Sequence, residues 1–404
     1  MKRVFIVAAK RTPIGSFNGS LAPLSAVELG AHAIQSAIAQ ANLSAELVDE
    51  VIMGNVLTAG TGMGPGRQAA IKAGIPESVP AYTINMICGS GLKAVMDGAS
   101  HIRAGDAEVV IAGGMESMSN AAFITSGQIR RGYRMGHQTL EDSIIKDGLT
   151  DAFHHYHMGI TAENVAKHLE ISREAQDEFA LSSQNKAAAA IEQGYFKAEI
   201  EPITVIQRRV QTEVSQDEYP KANATIEGLA KLRAAFDPEG TVTAGNASGI
   251  NDGASAVILV NQEALERYNL KPLAEIVEYG QGALKPEVMG LGPVTAINNT
   301  LEKAQLSLSD IDVFELNEAF AAQALGVIKE LSHQHNVEPQ WLLDNSNLSG
   351  GAIALGHPIG ASGNRILTTL VYQLQRNSKQ LGLASLCIGG GMGAAVILKR
   401  CEEQ

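Results

Sequence analysis

The sequence predicts an α/β protein whose sheets are buried between layers of helices. Three observations predict it. Short β-branched runs such as Val109-Val110-Ile111 alternate with alanine-rich helical stretches. A helix end, an acidic turn and a strand ending in Asn occur in that order twice, from Leu43 to Asn55 and from Ser309 to Asn317. Each copy is followed by a glycine-rich turn that opens a helix: Cys88-Gly89-Ser90-Gly91 in one, Gly350-Gly351 and then His357 in the other. Each half then ends in a strand beside clustered glycines, Gly113-Gly114 and Gly389-Gly390-Gly391, so the order implies a duplicated α/β unit.

Taken along the chain, Val4 to Ala9 is an apolar run that Lys10 and Arg11 close before it reaches signal-peptide length, and it reads as a buried first strand. Val27 to Ala41 has the spacing of an amphipathic helix. From about Ser119 to Thr243 the rhythm breaks into a more charged and polar stretch, read as an inserted loop domain. Within it a capping box at Ser172 is expected to start a helix running to Ala190, and Gln207 to Ala222 shows little periodicity. The division expected is 1–118 for the first part of the N-terminal half, 119–243 for the insertion, 244–272 for the end of that half, and 273–404 for the C-terminal half.

Composition narrows the function. With 404 residues, 45% of them hydrophobic, the chain can bury sizeable cores. A net charge of -12 and the lack of a long Lys/Arg cluster exclude a nucleic-acid footprint. No apolar run approaches the roughly 20 residues that span a bilayer, so no membrane is expected. Cys88, Cys387 and Cys401 do not make a disulfide framework and suit a reducing cytoplasm. An anionic substrate would need a local basic patch, for which Lys221, Lys231 and Arg233, helped by Arg208 and Arg209, are candidates; a solvated surface run accounts for them equally. His154, His155 and His157 lack the spacing and carboxylate of a metal site, and no metal is expected.

Four residues stand out chemically. Cys88 lies where a strand turns into a helix, and the positive end of the helix dipole there is expected to lower its pKa and favour the thiolate, a good acyl acceptor. His357 sits in a glycine-dense run where groups can approach closely, as a general base or an oxyanion donor. Cys387 ends an apolar strand, and the glycines after it imply an exposed thiol. Asn317, between a strand and a helix, can hold a water or a carbonyl, or simply cap the helix.

These segments together strongly resemble the thiolase family, most closely its short-chain, acetyl-transferring members. The likeness runs through nearly the whole chain: Lys10 to Gly15, the Cys88 turn, Gly113 to Ser119, His157-Met158-Gly159, Gly245 to Gly249, Asn317-Glu318-Ala319-Phe320, the His357 loop and Cys387. It implies the thiolase fold, two α/β halves in a five-layered α/β/α/β/α core with an inserted loop domain, assembled as a homotetramer. It also implies a reversible Claisen condensation of two acetyl-CoA molecules to acetoacetyl-CoA and CoA through an acetylated Cys88. Cys387 would then be the acid/base on the second acetyl-CoA. His357 would activate Cys88 and, with a water held by Asn317, form one oxyanion hole; the N–H groups of Cys88 and Gly389 would form another. By the same resemblance Lys221 and Ser248 contact coenzyme A, and Leu149, His157, Met158, Ala319 and Phe320 line its channel. Coenzyme A and acetyl-CoA enter as substrates, with no permanently bound cofactor. Lys221 and Ser349 depart from the family pattern, which more often has Arg and Asn there, and the stretch from His333 to Asp344 looks longer. Three other activities are to be weighed: a degradative thiolase of broader chain length, a Cys-His-Asn thioester hydrolase, and a non-catalytic acyl-CoA binder.

Overall fold

In the computed structural model, which describes residues 2–402, the chain forms one long hydrogen-bonded sheet with two matching halves. Its main strands are β1 (Val4–Arg11), β2 (Glu50–Gly54), β3 (Ala81–Ile84), β4 (Val109–Ser117), β5 (Asn251–Asn261), β6 (Ala274–Ala283), β7 (Val313–Leu316), β8 (Leu381–Ile388) and β9 (Met392–Arg400). In the first half β2 runs parallel to β3 and β4, and β4, β5 and β1 follow antiparallel. The second half repeats this pattern: β7 is parallel to β8, then β9 and β6 follow antiparallel. A single parallel bridge from Phe314 to Ser346 occupies the place of β3. The halves join where β1 meets β6, at Phe5–Glu275 and Ile6–Ala274.

The duplication seen in the sequence reflects a repeated contact. The Asp49 carboxylate, in the acidic turn before β2, accepts from the N–H groups of Glu108 and Val109 at the start of β4. Asp312 does the same before β7, accepting from Gln380 and Leu381 at the start of β8. Each acidic turn thus pins two parallel strands at their origin, which sets their register before any core packing does.

The helices that position the site are α1 (Ala26–Ala41), α2 (Ser90–Ala104), α3 (Met158–His168), α4 (Arg173–Glu192), α5 (Gly292–Ala304), α6 (Ala321–His335) and α7 (Ile359–Arg376). Successive strand residues face opposite layers. Val51 and Ile111 pack outward on α1, while Ile52 and Val110 pack inward on α2. In the second half Leu383 and Ile397 pack outward on α5 and α6, while Leu386 and Val396 pack inward on α7. The order is therefore α/β/α/β/α, with α2 and α7 enclosed between two sheet faces. α7 is accordingly buried without a break from Ile359 to Val371.

Two local expectations change. Ser25 and Glu28 form a full capping box on α1, but on α4 only the forward half exists: Ser172 accepts from the Ala175 N–H, and an alanine has nothing to return. Ile203–Gln207 and Val210–Val214 form an antiparallel hairpin that overlaps the aperiodic stretch. Its second strand is almost wholly exposed, so no burial imposed a period of two.

The central helices cross at glycines. A Cβ on Gly363 would lie 2.5 Å from the Leu92 nitrogen and 2.8 Å from the Leu92 Cβ, and one on Gly91 would lie 2.8 Å from the Asn364 nitrogen. Gly→Ala inside a helix ordinarily stabilises by up to about 1 kcal/mol. Gly363→Ala is expected to destabilise by about 1–3 kcal/mol instead, because main-chain atoms cannot yield. Thermal unfolding checks it against Gly127→Ala, where a Cβ would meet nothing within 4 Å.

Candidate active site

Cys88 precedes α2 by two residues and stands on a strained turn. Ile87 has φ +48°, a left-handed conformation that costs a β-branched residue about 1–3 kcal/mol. The turn is locked from both sides. Asn85 Oδ1 accepts from the Ile87 N–H at 3.0 Å; Ser90 Oγ accepts from the Met86 N–H at 2.9 Å and donates to the Ile87 carbonyl at 2.6 Å. The main-chain N–H groups of Gly389 and of Cys88 itself favour the thiolate of Cys88.

His357 arrives from the other half. Its Nδ1 lies 2.6 Å from Ser362 Oγ, and that hydroxyl spends its single proton on the Pro358 carbonyl at 2.9 Å. The network therefore assigns the proton to Nδ1, which donates to Ser362 and leaves Nε2 with a lone pair. Nε2 is buried and has no hydrogen-bond partner among the described residues. The Asn251 carboxamide oxygen fixes the His357 main chain by accepting its N–H at 2.9 Å.

Both meet in a cavity of about 310 Å³. Cys88, His357, Cys387 and Gly389 line it, as do Leu149, His157, Met158, Ser248, Ala319 and Phe320. Cys387 is 1% exposed, so the expectation of an exposed thiol is corrected: it opens on the cavity alone, and the glycines after it serve the turn between β8 and β9. Asn317 is not among the lining residues; it is buried, with both amide atoms unpaired among the described residues. It does not cap the helix, because α6 begins four residues later with Phe320 as its N-cap residue. Ser248 is zipped to the Asn317 segment, its N–H donating to the Ala319 carbonyl.

Lys221 is not in this cavity. It is exposed and borders an adjoining cleft of about 170 Å³ that shares Tyr219 and Ala244 with it, its Nζ 5.5 Å from the centre of the Tyr219 ring. Lys231 and Arg233 flank Leu232, another lining residue of that cleft, whereas Arg208 and Arg209 sit at the tip of the hairpin. The three histidines have separate duties. His154 pairs with Asp151 at 3.0 Å, His155 takes a positive φ, and His157 caps α3, its Nδ1 accepting from Gly159.

Sequence reasoning missed Phe236, which stacks on His157 with ring centres 4.5 Å apart, and Tyr219, Met118 and Met289, which also line the cavity. These residues carry no local signal, since only tertiary folding brings them to the wall.

Burial reverses the expected electrostatics. Desolvation pushes the Cys88 thiol up to about 11, outweighing the N–H groups of Gly389 and Cys88, which favour the thiolate, and Glu116 adds to the rise. The residue is half-buried because one side opens on the cavity, so exclusion of water on substrate entry strengthens the effect. Burial also pushes Cys387 up strongly, with the nearby Cys88 raising it further. His357 is pushed down to about 4 by burial, with the Arg365 guanidinium contributing. At neutral pH the free site therefore holds two thiols and a neutral imidazole.

Comparisons with known proteins converge. The family model described as "Thiolase, N-terminal domain" matches residues 4–263, and "Thiolase, C-terminal domain" matches residues 270–400. The acetyl-CoA acetyltransferase of Escherichia coli (strain K12) is 54% identical over 99% of this chain and 100% of its own length. The cytosolic acetyl-CoA acetyltransferase of Mus musculus is 52% identical over 98% of both chains. The crystal structure of the Bacillus anthracis acetyl-CoA acetyltransferase superposes with a TM-score of 0.95 at 43% identity, covering 99% of each chain. That of the human mitochondrial 3-ketoacyl-CoA thiolase gives 0.94, with the same identity and coverage.

The raised thiol has a direct readout. In the unliganded protein the rate of Cys88 alkylation by iodoacetamide is expected to climb about tenfold per pH unit from pH 7 to 10. A plateau already at neutral pH would show a stable resting thiolate and contradict this electrostatic picture.

Proposed function

The chain belongs to the thiolase family and is an acetyl-CoA acetyltransferase, and we propose that Cys88, His357, Cys387 and Asn317 divide its condensation chemistry between them. The observation that carries this reading is the convergence of Cys88, Cys387 and His357 on one cavity, with the buried Nε2 of His357 unpaired among the described residues.

In the first half-reaction Cys88 attacks the thioester carbonyl of acetyl-CoA as His357 Nε2 takes its proton. Because the resting pair is neutral, proton transfer and attack proceed together. The Cys88 and Gly389 N–H groups hold the developing oxyanion. The departing CoA sulfur takes the proton of Cys387, whose raised pKa keeps it protonated until then. An acetylated Cys88 cannot ionise, so no charge on that sulfur opposes the Cys387 thiolate while it persists.

In the second half-reaction the Cys387 thiolate removes an α-proton from another acetyl-CoA. The protonated Nε2 of His357 and a water on the Asn317 amide face the enolate oxygen. The enolate carbon attacks acetyl-Cys88, acetoacetyl-CoA forms, and the Cys88 sulfur leaves and recovers its proton from His357. Protons balance over the cycle, and the reverse direction is thiolysis.

Coenzyme A is placed with its acyl end at Cys88, its pantetheine arm along Leu149, His157, Met158, Ser248, Ala319 and Phe320, and its phosphates beyond Tyr219 toward Lys221. Cleft continuity through Tyr219 and Ala244 supports that path. On this reading the two halves supply catalysis, while the insertion, 119–243, supplies Leu149, His157, Met158 and Lys221 for the coenzyme. A homotetramer is supported by apolar side chains left exposed on one segment of the insertion, Phe123, Met135 and Leu140 among them. No described helix is long and apolar enough to cross a membrane. A cytoplasmic location suits a mechanism that needs two free thiols side by side.

Cys88→Ser is expected to form no acetyl-enzyme and to lose turnover by on the order of 10⁴-fold. Cys387→Ser should still exchange labelled CoA into acetyl-CoA, more slowly because the leaving sulfur loses its acid but not at zero rate because a thiolate can leave unaided, while failing to make acetoacetyl-CoA. If both variants lost exchange equally, the two cysteines would not act separately as nucleophile and base.

A further inference from the structure

The mechanism leaves one buried acid beside the site unused. Glu116, near the end of β4, is fully buried. Among the described residues its hydrogen-bond partners are all N–H donors. Oε1 accepts from Asn55 Nδ2 at 2.7 Å and from the Leu57 N–H at 3.1 Å; Oε2 accepts from the Val56 N–H at 3.1 Å and the Gly360 N–H at 2.9 Å. Three of these donors belong to the loop that follows β2 in the first half. The fourth is in the first turn of α7, three residues after His357 in the second half.

The position of those donors matters because of what their residues touch. Val56, Leu57 and Ile359 form one apolar cluster against which Ile87 and Cys88 pack. The wall beside the nucleophile and the helix start that follows the base are thus fastened to the same two oxygen atoms. A carboxylate suits this place, since it accepts at both oxygens and donates nothing. Glutamine would turn an NH₂ group toward two buried N–H donors whichever way it faced.

We propose that Glu116 is a positioning residue of the condensation: its carboxylate couples the loop after β2 to the first turn of α7 and so fixes Cys88 against His357. This rests on Cys88 acting as the nucleophile and His357 as its base. When ionised, the carboxylate has a second consequence, because it opposes a negative sulfur at Cys88. Burial pushes the Glu116 carboxyl up to about 7, the three backbone N–H groups pull it back, and Asp252 on the adjoining β5 raises it. At pH 8 and above the acid is therefore the charged acceptor that its four donors require.

The test compares full-length E116Q and E116D with the parent protein for kcat, for KM of acetyl-CoA and for the pH dependence of Cys88 alkylation. E116Q is expected to lose kcat by on the order of 10²-fold, as for an ångström-scale misplacement, with KM held within about threefold. Its alkylation curve should move to lower pH, since the opposing charge is gone. E116D keeps the charge on a shorter arm, so its curve should stay in place while kcat falls. E116Q with parental kcat and an unmoved curve would overturn the proposal. A loss confined to thermal stability or to KM would overturn it too, as would failure of both variants to fold, which would assign Glu116 to the fold alone. If the parent protein itself formed no acetyl-Cys88, the underlying roles would fail whatever Glu116 does.

Discussion

Two helix starts held against each other in a desolvated space are the constraint on which the rest depends. α2 and α7 are enclosed between two sheet faces and cross at Gly91 and Gly363, closer than any Cβ would permit. That crossing sets where the Cys88 turn and the His357 loop emerge. The cavity draws on both halves: one brings Cys88 and the other brings His357 and Cys387, with Asn317 close by in sequence to the lining residues Ala319 and Phe320. Duplication therefore supplies two unlike helix starts facing one another, and the chemistry uses their difference.

The stretch 119–243 is stitched to the sheet and to α7 by buried polar contacts. Arg11 on β1 is fully buried and pairs with Glu199 at 2.7 Å and with Asp217 through both terminal nitrogens, and both acids belong to that stretch. Glu199 also accepts from Thr369 on α7. Breaking such a pair would strand buried charge, at a cost of about 3–5 kcal/mol. The same stretch carries the His157–Phe236 wall of the cavity and can define its width only if it is anchored.

Much of this was legible in the sequence, for physical reasons. The repeated acidic turn was visible because Asp49 and Asp312 each bind two main-chain N–H groups that no other residue type would serve as well. Cys88, His357 and Cys387 stood out from their glycine settings, Asn317 from its place between a strand and a helix, and all four from the family resemblance. What escaped was set through space. The helix dipole argued for a lowered Cys88 pKa, but desolvation by distant segments won. Cys387 looked exposed beside its glycines, yet the layer over β8 buries it. Ile87 gives no hint of its left-handed backbone, since its locks, Asn85 and Ser90, are ordinary in sequence. Glu116 sits in a recognised stretch, but its four donors come from a loop and a helix start separated by some three hundred residues.

The most direct measurement is peptide mapping of the protein quenched after brief exposure to acetyl-CoA. The mechanism predicts one acetyl group per chain, on the peptide that contains Cys88, with the Cys387 peptide unmodified and the label lost when further acetyl-CoA or CoA is supplied. Acetyl found on Cys387, or sustained acetoacetyl-CoA formation with no acetyl on Cys88, would contradict the assignment of nucleophile and base on which the account is built.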